Sequence, residues 1–339
     1  MTGRPDEVGP AWRPPEEGLG EAPAEARLLA RALREAGGPS LQGVVLFGSR
    51  LVAASPDEHS AWDLVAIVDA YGPFHRHLVR TGHHRRPAWL LSALARVLPP
   101  NVTAFDPGGG AALAKCAIVS ARDFARSLGP RARDHFLKGR MVQRVALVWA
   151  RDPAAARSIE DALSEAREGV LGWTGPHLPE TFTPAVFARR MLEVSYGGEL
   201  RPESEERVEQ VFEAQSAWLT AVYGSVLDAA ATAGEVVSLP AGRYRLARRP
   251  GRGRRLALAA YFLGSKARAT LRWLKHVITF NDWLTYIQRK VERRTGVRIE
   301  ITPWERRLPL LLLWPKAVRV LRRRSAAKPE VPFRRGVDP

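Results

Sequence analysis

The 339-residue sequence has a single cysteine, Cys116. One thiol builds neither a disulfide framework nor a Cys-rich zinc site. Buried packing in a reducing compartment is the role expected of it. Long apolar runs are missing as well. The stretch 308–314, Leu-Pro-Leu-Leu-Leu-Leu-Trp, falls far short of the roughly 20 apolar residues that cross a bilayer. Residues 1–24 are rich in Pro, Gly and Glu and lack the apolar core of a secretory signal. They are also too acidic for a mitochondrial transit peptide, so 1–25 is set aside as a disordered segment. No internal repeat is present. Acidic residues are scarce at one end: residues 241–339 hold 26 Lys/Arg against 6 Asp/Glu, while residues 1–240 hold 26 against 29. A neutral front and a strongly basic back imply an anionic partner, either nucleic acid or anionic lipid. A solubilising basic tail is the plainer alternative.

The most informative residues are Gly48-Ser49 and, after a polar gap, Asp63. The run Val44-Val45-Leu46-Phe47 enters the Gly-Ser turn, and Asp63 opens a second apolar run, Leu64-Val65-Ala66-Ile67-Val68. Nucleotidyltransferases use this arrangement. Glycine lets backbone approach a phosphate, and backbone N–H groups with the Ser hydroxyl hold it. A carboxylate on the neighbouring strand holds Mg²⁺ beside it. Many such enzymes carry Asp-x-Asp on one strand face; here Ala61 stands at the first position. An ordinary hairpin of an α/β domain is the competing reading. Asp69 is six residues beyond Asp63, about 20 Å along a strand, and cannot share its metal.

Periodicity divides the rest. Residues 26–36 and 87–97 read as helices. Strands are expected near 43–47, 62–68, 102–105, 115–120 and 145–149, with a Gly108-Gly109-Gly110 turn and a helix from 121 to 128. The expected architecture is α+β, a nucleotidyltransferase-type mixed sheet. Its domain spans 26–150, followed by a helical domain over 151–240, a basic helical membrane-facing region over 241–325 and a tail over 326–339. Residues 241–255 read as a basic, Gly-containing linker. Residues 270–294 read as a helix with an apolar stripe of Val277, Phe280, Leu284, Ile287 and Val291, capped by Gly296. His75, His77, His83 and His84 have mixed spacing in Arg-rich surroundings, which favours a surface loop or phosphate contact over zinc. In 308–324, a helix after Pro315 would set Ala317, Val318, Val320 and Leu321 opposite Lys316, Arg319, Arg322 and Arg323. That suits an anionic membrane interface; docking of Leu310–Trp314 onto the core is the alternative.

Several motifs taken together resemble the mitochondrial-type phosphatidate cytidylyltransferases, the CDP-diacylglycerol synthases of the translocator-assembly-and-maintenance family. The similar stretches are collinear over roughly 43–295. They are Gly48-Ser49, Trp62-Asp63-Leu64, Phe74-His75, Phe105-Asp106-Pro107, Lys115-Cys116-Ala117-Ile118-Val119-Ser120, Phe136-Leu137-Lys138-Gly139-Arg140, Ser195-Tyr196-Gly197-Gly198-Glu199-Leu200-Arg201 and Leu274-Lys275-His276-Val277. The sequence departs from the family pattern at Arg50, where a Gly is usual, and at Val142-Gln143-Arg144-Val145, where the family has Gln-Lys-Pro-Val.

The resemblance implies transfer of CMP from CTP to phosphatidic acid, with Mg²⁺ as cofactor and an anionic membrane surface as partner. No nucleic acid is expected. It further implies a cytoplasmic protein held peripherally at the inner face of the cell membrane. The implied catalytic residues are Asp63, Lys115 and Arg140, with Asp63 and Asp106 on the metal. Gly48, Ser49 and Arg50 would bind the nucleotide, and Tyr196, Arg201 and Lys275 the phosphatidate. A phosphomonoester with its second pKa near ~6 is largely dianionic at neutral pH. The reaction therefore needs positioned cations more than a strong base. A nucleotidyltransferase fold acting on nucleic acid, or a catalytically weakened membrane-binding homologue, are the other expectations.

Overall fold

The computed structural model describes residues 22–53, 61–106, 113–198 and 204–279. The N-terminal segment, the Gly108–Gly110 turn, Arg201, the stripe beyond Val277 and the 308–324 segment lie outside the described residues. Helix α1 (Ala24–Gly37) leads into β1 (Leu41–Phe47) and the one-turn α2 (Ser49–Val52). Strand β2 (Trp62–Val68) is followed by α3 (Tyr71–Arg80) and α4 (Ala88–Val97), then by the hairpin of β3 (Asn101–Phe105) and β4 (Ala114–Ser120). Helices α5 (Ala121–Leu128) and α6 (Lys138–Met141) precede β5 (Ala146–Ala150). The chain continues through α7 (Pro153–Glu168), α8 (Val170–Thr174), α9 (Pro184–Gly197), α10 (Glu205–Glu213) and α11 (Ser216–Thr232). A second hairpin, β6 (Val236–Leu239) and β7 (Arg243–Leu246), ends in α12 (Arg252–Thr279).

The five-stranded sheet has the order β3-β4-β2-β1-β5. β2 and β4 run parallel and every other pair is antiparallel, so this is the mixed α+β sheet the sequence suggested. β2 and β4 are almost continuously apolar because both faces are covered. Alternation sorts their side chains into two layers. Val44, Leu46, Leu64, Ala66, Cys116 and Ile118 pack with α1 and α3. Val45, Val65, Ile67, Ala117 and Val119 pack with α5, α7, α9 and α11. Cys116 is buried among apolar neighbours, and that burial pushes its thiol up to about 12.

Two stretches differ from the sequence expectation. Residues 71–80 are not a surface loop. Tyr71, Phe74, His75 and Leu78 recur at helical spacing and are all buried on α3. Pro73 is tolerated because it lies in the first turn. The presumed linker 241–255 is instead a β-turn hairpin running into the start of α12, with Phe182 and Tyr244 exchanging backbone hydrogen bonds at 3.0 and 2.8 Å. The helix expected from residue 270 therefore begins at Arg252. No helix among the described residues is long and apolar enough to cross a membrane.

Candidate functional site

The topology sends the C-terminal end of β1, the N-terminal ends of β2, β4 and β5 and the C-terminal end of β3 to one end of the sheet. Phe47 is paired with Asp63, and Asp63 with Lys115. Ala104 is paired with Lys115, so Asp106 follows at the same end. The Lys115 Nζ lies 3.7 Å from Asp63 Oδ1, and both side chains are part exposed. Gly48 closes the turn at φ +84°, a left-handed conformation that favours glycine. A Cβ at this position would stand 2.8 Å from Asp63 Oδ2. The absence of a side chain is thus what lets the turn lie against the carboxylate. Ser49 opens α2, and the Arg50 guanidinium stacks over Trp62 at 5.1 Å.

Arg140 is carried by the segment that precedes β5. It lies on α6, and residues 142–145 lead straight into β5, whose Ala146 pairs with Leu46 two residues before Gly48. Its guanidinium donates to the Phe136 carbonyl at 2.7 Å and lies 4.3 Å over the Phe136 ring. The helical layer pins this connection. Tyr223 Oη donates to the Val142 carbonyl at 2.6 Å, and the Arg144 N–H donates to Gln215 at 3.0 Å. Gln143 Oε1 accepts from Gln215 at 3.2 Å and from the Tyr196 hydroxyl at 3.4 Å. Gly139 allows α6 to meet α9, since a Cβ there would stand 2.3 Å from Ser195 Oγ. Tyr196 therefore touches the segment that carries Arg140.

Lys275 is not part of this group. Its ammonium is buried under α12 and donates to the carbonyls of Leu98 and, at 2.8 Å, Pro100. These precede β3, at the opposite end of that strand from Asp106. Burial, with Arg272 and Arg268 nearby, lowers the Lys275 pKa to about 7. The sequence reading missed the cluster around it. Asp134 accepts from Arg268 Nε at 2.9 Å and from Arg272 Nη2 at 2.8 Å. Burial alone would raise the Asp134 carboxyl, but Arg272 and Arg268 outweigh it and hold it below the usual range. Arg272 also donates to Pro99 and stacks on the face of Phe136 at 4.5 Å. The signal in the sequence was the 3–4 spacing of Arg268, Arg272, Lys275 and Thr279 on one helix face.

His75 and His84 are buried. His75 Nδ1 meets Ser92 Oγ at 3.1 Å, and burial lowers its pKa to about 3. His84 Nδ1 accepts from the Arg86 N–H, which leaves Nε2 to donate to the Thr279 carbonyl at 3.0 Å. Among the described residues no three His, Cys, Asp or Glu side chains form a metal-binding group.

No family model matches the chain, and no curated protein matches it. Among solved structures it is similar to a nucleotidyltransferase-like protein from Exiguobacterium sibiricum. The two share 12% identity, over 73% of this chain and 91% of that one, with a TM-score of 0.25. A likeness that slight carries no argument about function.

Proposed function

We propose that this protein is a Mg²⁺-dependent nucleotidyltransferase and, in the finer reading, a phosphatidate cytidylyltransferase. One observation carries the reading: a positive-φ glycine turn, a strand-end carboxylate and a lysine meet at one end of a mixed sheet. Magnesium binds through one or two carboxylates and completes its shell with waters and substrate phosphates. A single part-exposed Asp63 beside an open glycine turn fits that donor set, with Asp106 as the further carboxylate at the same end. Bound there, the ion would supply charge neutralisation for the phosphates.

The protein's own groups have separable tasks. The Gly48-Ser49 turn offers backbone and hydroxyl donors to the triphosphate. Lys115 balances Asp63 and offers a cation to the α-phosphate. Arg140, from the segment that leads into β5, would offer a second. In the finer reading a phosphatidate oxygen bonds to the α-phosphorus of CTP, the bond to the bridging α–β oxygen breaks, and diphosphate leaves. The nucleophile is already anionic, so no base is needed.

The test is labelled CTP with phosphatidate vesicles and Mg²⁺, with the product read as CDP-diacylglycerol. Asp63→Asn should lose two or more orders of magnitude, since metal charge stabilisation is worth several kcal/mol. Near-normal turnover in a folded Asp63→Asn protein removes the site assignment. Turnover of CTP onto RNA in place of lipid would keep the fold reading and replace the acceptor.

A further inference from the structure

Two long stretches contain no acidic residue: 70–105, between Asp69 and Asp106, and 236–279, after Glu235. They are far apart in sequence and adjoin in the fold. The α12 side chains of Arg272 and Lys275 donate to the carbonyls of residues 98–100. Thr279 donates to the Val102 carbonyl at 3.3 Å, and His84 donates to Thr279. The result is one region, α3–α4 with α12, built without a carboxylate of its own.

Its outer side is unusual for a helix so rich in arginine. The basic groups of the C-terminal half of α12 turn inward to the Asp134 and carbonyl contacts, and the apolar groups turn out. Leu271, Trp273 and Leu274 are 57%, 53% and 52% exposed, and Ile278 lies on the same stripe. On α4, Trp89 is 72% exposed and Val97 is exposed one face away from the core. The arginines exposed on α3, on α4 and in the segment between them are Arg76, Arg80, Arg85, Arg86 and Arg96. Large exposed apolar groups in one neighbourhood mark an interaction surface.

We infer that this acid-free face, α4 with the outer stripe of α12, docks on an anionic lipid bilayer. The chemistry selects among occupants. A second copy would set like charges against each other, with no acid in either segment to pair them. Nucleic acid would use the arginines but leave Leu271, Leu274 and Ile278 without a partner, since duplex backbones reward charge and not aliphatic surface. A bilayer interface uses both: aliphatic and Trp side chains enter the headgroup boundary while Arg attracts anionic lipid. α12 runs beside β3 in the direction of Asp106, because contacts advance from Leu98 at Lys275 to Val102 at Thr279. The face therefore leads toward the sheet end that carries Asp63. The choice of partner rests on the lipid-substrate reading above, and the test is run without nucleotide so that the two fail separately.

The full chain is mixed with phosphatidylcholine vesicles with or without phosphatidylglycerol, and binding is read by flotation. The expected result is binding to the anionic vesicles only, weakened by salt. The double variant Trp273→Glu/Leu274→Glu should bind at least about tenfold more weakly, as should Arg85→Glu/Arg86→Glu, each with unchanged melting. Unchanged binding by both variants would place the contact elsewhere and overturn the inference. So would the absence of wild-type binding, or a Trp273→Glu/Leu274→Glu chain that fails to fold, because the stripe would then be core. Tighter binding to duplex RNA than to vesicles, lost in the arginine variant, would assign the face to nucleic acid.

Discussion

Gly48 and Asp63 constrain each other. Alanine at position 48 would hold a left-handed φ at a cost of about 1–2 kcal/mol, and its methyl would press on the Asp63 carboxylate at 2.8 Å. Gly48→Ala should therefore lower the melting temperature by a few degrees and reduce kcat/KM by at least about tenfold, as measured by calorimetry and CTP turnover. Lys115 provides the contrasting case. Its contact with Asp63 is a loose, part-exposed ion pair at 3.7 Å, worth about 0–1 kcal/mol of stability at most. Lys115→Met should melt almost as wild type while losing turnover. Equal loss of stability and activity would make the pair structural.

At the scale of elements, α12 is held by charge buried on its inner side. Arg272 is almost fully buried and Asp134 is the carboxylate that faces it. Removing one partner of a buried pair leaves the other uncompensated, at about 3–5 kcal/mol. Asp134→Asn should therefore melt several degrees below wild type, and Arg272→Met less far, since apolar replacement of a buried ion is tolerated better than its isolation. A larger loss for Arg272→Met would mean that its contact with Pro99 outweighs the ion pair. This element was the least legible in the sequence. β1, β2, α4 and β4 follow from apolar runs that need only their own residues. The Gly48–Asp63 pairing was legible for the same reason, since both ends of a strand pair are local signals. The hairpin and the first half of α12 carry arginines at alternate and neighbouring positions, which read as linker. What folds them is Phe182 pairing with Tyr244 and the carbonyls of 98–100, partners some 60 and 175 residues away. The burial of Lys275 was hidden for the same reason. The helix α3 was obscured by His75, a polar residue that occupies a core position.

For the whole molecule, the buried histidines set an acid limit. Burial first, and then neighbouring cations, lowers His75 and His135 to about 3 and His276 to about 4, and burial also lowers His84. From about pH 6.5 downward the unfolded chain binds protons that the folded chain does not, so stability falls as pH falls. The contribution is fully present above pH 6.5 and is lost progressively toward pH 4 and below. Thermal melts should shift down by several degrees across that interval. His75→Leu should flatten the slope without raising sensitivity to salt. An unchanged slope in that variant would locate the acid response in carboxylates instead.

The clamp between α12 and residues 98–102 also dictates an order of events during synthesis. β3 is the outermost strand of the sheet, and the chain that covers it is completed about 175 residues after it leaves the ribosome. Throughout that interval the growing polypeptide carries an open strand edge, the geometry most prone to pairing with other chains. A product terminated before Arg252 would keep that edge permanently. Synthesis as far as Thr279 thus becomes a condition of solubility as well as of function.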